Sequence, residues 1–454
     1  MSSRLLETRF NAGKGQTPRI VGGEGVHFIL DDGRRVIDGS NTSAPLGHRH
    51  PAMVEAVRRA ADFPVVNEGW LWAEREDAAR ELVTTAFRGE ESWVGAVRFF
   101  LSGSEANDLA LSLSQALTGR TAIATRERAY HGMTGLSRDV TVQPHWHGGL
   151  AIHSGGSRPV PRTVPVKILP GPIGSRYGGQ APPPMSERLA GAAATLNDAA
   201  AVIIDYSQGG VYYDPEYQDR VAAAAQESGA LWIADEVVTG LGRTGRWFAF
   251  QGSDSRPDIV TMGKSLSGGA APAGAVVLSQ RLVDQMEDKT WQTFSTFRGH
   301  PTMVTALRAV IKTLNEEGLI ERAASLEPYM EGRLLDMAER HPSVARVDGR
   351  GLHWTVELHG PDWRRWYADT DTPPLASRVA ERALEAGALI GTSGEQTSLF
   401  LAPALLIPED QLERLLKALD HGLELADKEF EAVAEEGAMR STTRQASSGR
   451  EVAR

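Results

Sequence analysis

Two apolar runs in the chain each end on residues able to do chemistry. Leu231–Ala234 ends on Asp235 and Glu236, and Ile259–Met262 ends on Gly263 and Lys264. Each run has the length and composition of a buried strand. In an open parallel sheet, reactive groups gather outside the carboxyl ends of neighbouring strands. A lysine amine delivered there can condense with a carbonyl, and a carboxylate can hold a heteroaromatic nitrogen protonated. Taken alone, blander alternatives stand: a solvated loop lysine, and an acidic pair at a loop or a helix start.

A third segment adds an anion site. Val97–Leu101 reads as a buried strand running into Ser102-Gly103-Ser104-Glu105-Ala106-Asn107, ahead of a helix over Asp108–Leu117. Small residues at such a turn let backbone N–H groups and hydroxyls face an anion, and the helix dipole favours negative charge there. A serine N-cap with an acidic first turn explains the same residues without a ligand. Tyr130 follows the strand-like Thr121–Thr125 and reads either as a ring stacked on a flat cofactor or as a half-buried tyrosine. The lysine and carboxylate are the pair that pyridoxal phosphate (PLP) asks for, and the turn supplies a place for its phosphate.

The elements that must position these groups follow in order. The hairpin signal Asp31-Asp32-Gly33 sits between alternating segments within Ile20–Gly39. Helical periodicity covers Ala52–Ala61, Arg75–Phe87, Tyr217–Ser228, Thr302–Leu314, Leu319–His341, Ala376–Gly387 and Glu409–Glu429. Further strand-like runs end at Asp205 and cover Ala273–Leu278, and Val344–Leu358 alternates around Arg350-Gly351. Residues 138–190 read as a long irregular loop, 361–374 as a Trp-rich insertion and 435–454 as a disordered tail. The expected fold class is α/β: a large, doubly wound, mostly parallel sheet over 61–315, and a smaller α+β domain built from 1–60 and 316–434.

At 454 residues with net charge −10, the chain offers no broad basic surface, so nucleic acid is not an expected partner. It has no cysteine, which excludes disulfides and thiolate metal sites and fits a reducing cytoplasm. No apolar run approaches membrane-spanning length, and no secretory segment opens the chain. His48 and His50 are flanked by Gly47 and Pro51, which favour a turn, and His145, His147 and His153 have no carboxylate at a suitable distance, so no metal is expected. A nicotinamide-binding reading fails because GLGRTG at 240–245 follows an acid rather than opening a strand–helix unit.

In this order and spacing, LGHRHP, FLSGSEAN, AYHG, the strand ending in Asp205, WIADEVVTGLGRTG, PDIVTMGK and TFRGHP resemble the class III (fold type I) PLP aminotransferases over roughly residues 15–430. The resemblance implies that Lys264 is the Schiff-base lysine and acid–base group, and that Asp235 pairs with the pyridine nitrogen. It implies that Val237 and Tyr130 pack on the two ring faces, and that Ser102, Gly103 and Ser104 cradle the phosphate. Thr296 would reach the phosphate of a neighbouring subunit, in a homodimer or larger assembly. Asp205 stands among the cofactor-binding positions where most members carry Glu.

Two departures bear on substrate. Phe400, in SLFLAPALLI, stands where members that read an α-carboxylate carry Arg, and Val238 stands where some carry Gln. Arg298, Arg243 and Arg162 are the candidate replacements for the missing guanidinium. Trp70, Trp72 and Phe400 point to a bulky or apolar substrate. The expected activity is amino transfer from an amine or a β- or ω-amino acid to a keto or aldehyde acceptor, by a ping-pong route. The segment DGSNTSAPLGHRHP also resembles the glutamate-1-semialdehyde aminomutase branch, which keeps an aminomutase as the alternative.

Overall fold

The structure is a computed structural model; it describes residues 18–143, 146, 149–151, 157–172, 184–206, 214–359, 373–394 and 396–448. Its centre is a seven-stranded sheet in the order Val94–Phe100, Gly274–Ser279, Ile259–Met262, Leu231–Asp235, Ala199–Asp205, Ala122–Arg126, Val166–Leu169. Gly274–Ser279 runs antiparallel to both its neighbours, and the other strands are mutually parallel. The central strands AAAVIID and LWIAD are buried at every residue. That is why they are continuous apolar runs and not alternating ones: helices cover both faces of a parallel sheet.

A second layer joins the two ends of the chain. The hairpin His27–Leu30/Arg35–Asp38 turns through Gly33 at φ +86° and takes Ala388–Leu389 as a parallel partner. Val344–Arg350 and His353–Leu358 form a hairpin extended by Ser398–Leu401 and Gly391–Thr392. The long helix Pro301–Glu316 packs against Pro51–Ala60, Ala73–Ala86 and the turn at Lys264–Ser267. The seat of Lys264 is therefore braced by a helix with ten of its sixteen residues buried.

Three elements depart from expectation. Val166–Leu169, inside the stretch read as irregular, is the edge strand of the large sheet. Four residues between Pro165 and Pro170 are too few to show a period, and their pairing partner lies about forty positions away. The helix after the anion turn starts at Gly103 and not Asp108, so the turn residues are themselves its first turn. The last helix runs from Glu409 to Ser448, into the expected tail, through a Pro-free stretch rich in Ala, Glu, Gln and Arg. His145, His147, His153 and most of the 361–374 insertion lie outside the described residues. Among the described residues, no helix is long and apolar enough to cross a membrane.

Candidate active site

Strand register brings the acids together. Asp235 lies beside Asp205 on one side and Thr261 on the other, and Lys264 follows Thr261 by three residues. Lys264 opens a short 3-10 turn with φ +39°, a left-handed conformation that side-chain-bearing residues seldom adopt. Such backbone strain persists where the surrounding packing over-determines it, typically at reactive positions.

Asp235 is held on every side. Its Oδ1 accepts from the Val237 N–H at 3.0 Å, and its Oδ2 accepts from Asn107 Nδ2 at 2.8 Å and lies 2.7 Å from His131 Nδ1. The other imidazole nitrogen meets Thr125 Oγ1 at 2.8 Å, and Asn107 Oδ1 accepts from Thr261 Oγ1 at 2.5 Å. Of these six residues, Asp235, Asn107, His131, Thr125 and Thr261 are buried and Val237 is half-buried. A carboxylate so fixed cannot rotate away from whatever lies before it. Asn107 and His131 were missed as individual residues by sequence reasoning, although both sit inside the motifs SGSEAN and AYHG. Only the fold shows that the two motifs meet on one carboxylate.

The anion turn is built by local bonds. Ser102 caps the helix Gly103–Thr118 by accepting from the Glu105 N–H at 3.1 Å, and Glu105 Oε2 accepts from the Leu101 N–H at 2.7 Å. The expected cap and the expected anion turn are therefore the same structure. A Cβ on Gly103 would lie 2.6 Å from Val237 Cγ2, so only glycine lets this backbone approach the strand end. Gly132, at φ +132°, similarly sits against Ser104. The Ser104 hydroxyl accepts from the Met133 N–H at 3.3 Å, which leaves its proton to donate.

These groups enclose a cavity of about 560 Å³. Ser102, Gly103, Ser104, Tyr130, Asp205, Asp235, Val237 and Lys264 all line it, with Asn107, His131 and Val238. Burial lowers the pKa of the Lys264 ammonium, against the opposing pull of Asp235 and Asp205. Burial raises Asp205, countered by Arg126, whose Nη2 lies 2.9 Å from Asp205 Oδ1. The Tyr130 phenol is raised by burial and by the charge of Asp235, and its ring packs on Trp146 at 4.8 Å. Behind the strand, Glu236 is pushed up to about 7 by burial, although it accepts from Thr239 Oγ1 and the Phe250 N–H.

Several expected residues lie elsewhere. Thr296 is exposed on the loop before Pro301 and does not line the cavity of its own chain. Trp70 is exposed, Trp72 packs edge-on against Phe63 at 5.7 Å, and neither reaches the cavity. Phe400 stacks parallel to His353 at 6.4 Å, away from the lining. Of the candidate arginines, Arg298 is buried against Glu68 and Glu105, Arg243 donates to the carbonyls of Leu352 and Pro403, and Arg162 is exposed. None of the three lines the cavity.

A depressed amine, a fixed carboxylate and a glycine-bearing helix N-terminus thus share one cavity, and this donor set fits PLP: aldehyde, ring nitrogen and phosphate each meet a suitable partner. The profile of class III aminotransferases matches residues 11–423. The chain belongs to this family. The acetylornithine aminotransferase of Mycolicibacterium smegmatis is 33% identical over 412 residues, covering 90% of this chain and 94% of the relative. An S-selective transaminase from Arthrobacter sp. superposes with a TM-score of 0.85 at 29% identity, over 94% of this chain and 96% of that one. The taurine:2-oxoglutarate aminotransferase of Bifidobacterium kashiwanohense, solved with PLP and glutamate, gives a TM-score of 0.80 at 26% identity, over 94% and 96%. This class III aminotransferase is a fold type I enzyme whose cofactor is PLP.

Proposed function

We propose that this aminotransferase takes the amino group of an amine or of a β- or ω-amino acid and passes it to a keto or aldehyde acceptor, in two half-reactions at one site. The supporting observation is the cavity wall: among its described lining residues there is no arginine. A guanidinium is the group best shaped to grip a carboxylate beside the reacting carbon. The relatives named for acetylornithine and taurine support the same class, because the free amine of each donor sits on a terminal carbon.

Each residue then has a task. Lys264 would hold the cofactor's aldehyde carbon through Nζ, and once the donor's amine displaced it from that carbon, the freed Nζ would move the proton of the donor's amine-bearing carbon; burial lowers its pKa and so favours the base form. Asp235, locked by Asn107, His131 and the Val237 N–H, holds a proton on the ring nitrogen. PLP, when bound, supplies a cationic ring that draws electron density from that carbon. Val237 and Tyr130 confine the ring, Ser102, Gly103 and Ser104 hold the phosphate, and Asp205 closes the side next to Asp235.

A second copy of the chain covers Thr296. The segments Val65–Leu71 and Phe294–Phe297 expose Val65 (84%), Trp70 (71%), Leu71 (91%), Phe294 (61%) and Phe297 (59%), a concentration of apolar side chains suited to a partner surface. Residues 61–315 are proposed as the large, cofactor-binding domain, and 1–60 with 316–434 as the smaller one. We place the enzyme in the cytoplasm, where a cysteine-free chain needs no oxidising environment.

The decisive experiment is the visible spectrum of the holoenzyme during addition of single donors without acceptor. Bleaching by amines and ω-amino acids, with α-amino acids far slower, is expected. Equal bleaching by α-amino acids sinks the donor class. Conversion of one donor into its isomer with no acceptor present makes the enzyme an aminomutase instead.

A further inference from the structure

Arg298 is buried, carries a charge, and takes no part in the chemistry above. Its Nε and Nη2 donate to Glu105 Oε1 at 3.0 and 2.6 Å, and its Nη1 donates to Glu68 Oε1 at 3.0 Å and to Thr293 Oγ1 at 2.9 Å. The guanidinium lies 4.6 Å from the Phe100 ring centroid. Glu68 in turn pairs with Arg98 at 3.2 Å. Two cations and two carboxylates make a neutral tetrad set directly behind the anion turn.

Glu105 is the odd member. It sits in the first turn of the helix whose N-terminus faces the cavity, and its Oε2 braces the turn through the Leu101 N–H. A bare carboxylate there would repel any anion held by the same turn. The geometry points to Arg298 as the positioning residue that neutralises Glu105 and holds it back, so that one acid can brace an anion site without opposing the anion. This inference rests on the reading that the turn receives the cofactor phosphate.

The test measures the PLP dissociation constant of the apo-enzyme by absorbance, together with the protection inorganic phosphate gives against heat. Arg298→Met leaves the tetrad with one uncompensated negative charge, and about tenfold weaker PLP binding and loss of phosphate protection are expected. Glu105→Gln removes that charge and should bind PLP as well as the wild type or better, and Arg298→Met/Glu105→Gln should recover to within about threefold of wild type. A merely structural tetrad gives losses in all three variants, and that outcome overturns the inference. Should Arg298→Met fail to fold, Arg298→Lys keeps the charge and loses the planar fork; affinity within about threefold supports charge balance, and a tenfold loss overturns it. A wild-type chain that takes up no PLP, or a Ser104→Ala variant with undiminished affinity, sinks the reading of the turn and this inference with it. Normal uptake with Arg298→Met unaffected sinks only the inference.

Discussion

The carboxyl edge of the central sheet and the face formed by Val65–Leu71 with Phe294–Phe297 are opposites. At the sheet edge, each acid has its donors, each glycine its close neighbour, and nothing needs to move for the groups to face one cavity. At the outer face, five large apolar side chains are exposed, and Thr296 is exposed and does not line the cavity of its own chain. One region is finished by folding; the other is finished by association in the reading proposed above, in which a second copy of the chain covers Thr296.

That contrast can be broken at several points. Lys264→Ala is expected to lower turnover by about a thousandfold or more while PLP still binds without a covalent link. Spectral titration and dialysis check both halves, and full activity would refute the site. Asp235→Asn should cost about a hundredfold in kcat with little change in KM, since the ring nitrogen would lose its proton partner. Leu71→Glu, on the other face, should yield monomers in sedimentation at micromolar concentration and weaken PLP retention; active monomers would remove the contrast. Trp70→Ala should shift the preference between aromatic and small amines several-fold if Trp70 lines the entrance of a partner's cavity, and an unchanged preference rejects that role.

A separate prediction concerns Glu236, whose folded pKa of about 7 lies above the ordinary value of 4.5. The native state therefore holds its proton between those values, and the associated stability is full below pH 4.5 and lost as pH rises through 7. The loss amounts to about 3 kcal/mol. Glu236→Gln should flatten that slope in chemical denaturation, and a slope equal to wild type would show that the carboxyl is ionised throughout.

Much of the sheet edge was legible because strands buried on both faces are written as unbroken apolar runs. Leu231–Asp235 and Ile259–Met262 carry their reactive residues directly after them, so position in the chain reports position in the fold. Asn107 and His131 were less visible, because a polar residue inside a motif does not declare which distant group it will meet. Val166–Leu169 was lost for want of length. Trp70, Trp72 and Phe400 were placed in a substrate pocket by side-chain type alone, and type says nothing of direction. Arg298 illustrates the same limit: a guanidinium near the site looks like a substrate grip until its carboxylate partners are seen.

The conformation of Lys264 has one last consequence. A residue held at φ +39° costs stability that glycine would recover, so Lys264→Gly should leave a chain more stable than Lys264→Ala, although both lack the amine. Natural variation at this position faces opposed pressures, since the substitution that best suits the backbone is one that ends catalysis. A duplicated copy released from selection for turnover would gain robustness by losing its lysine, and such copies could persist as folded, cofactor-binding proteins long after their chemistry has gone.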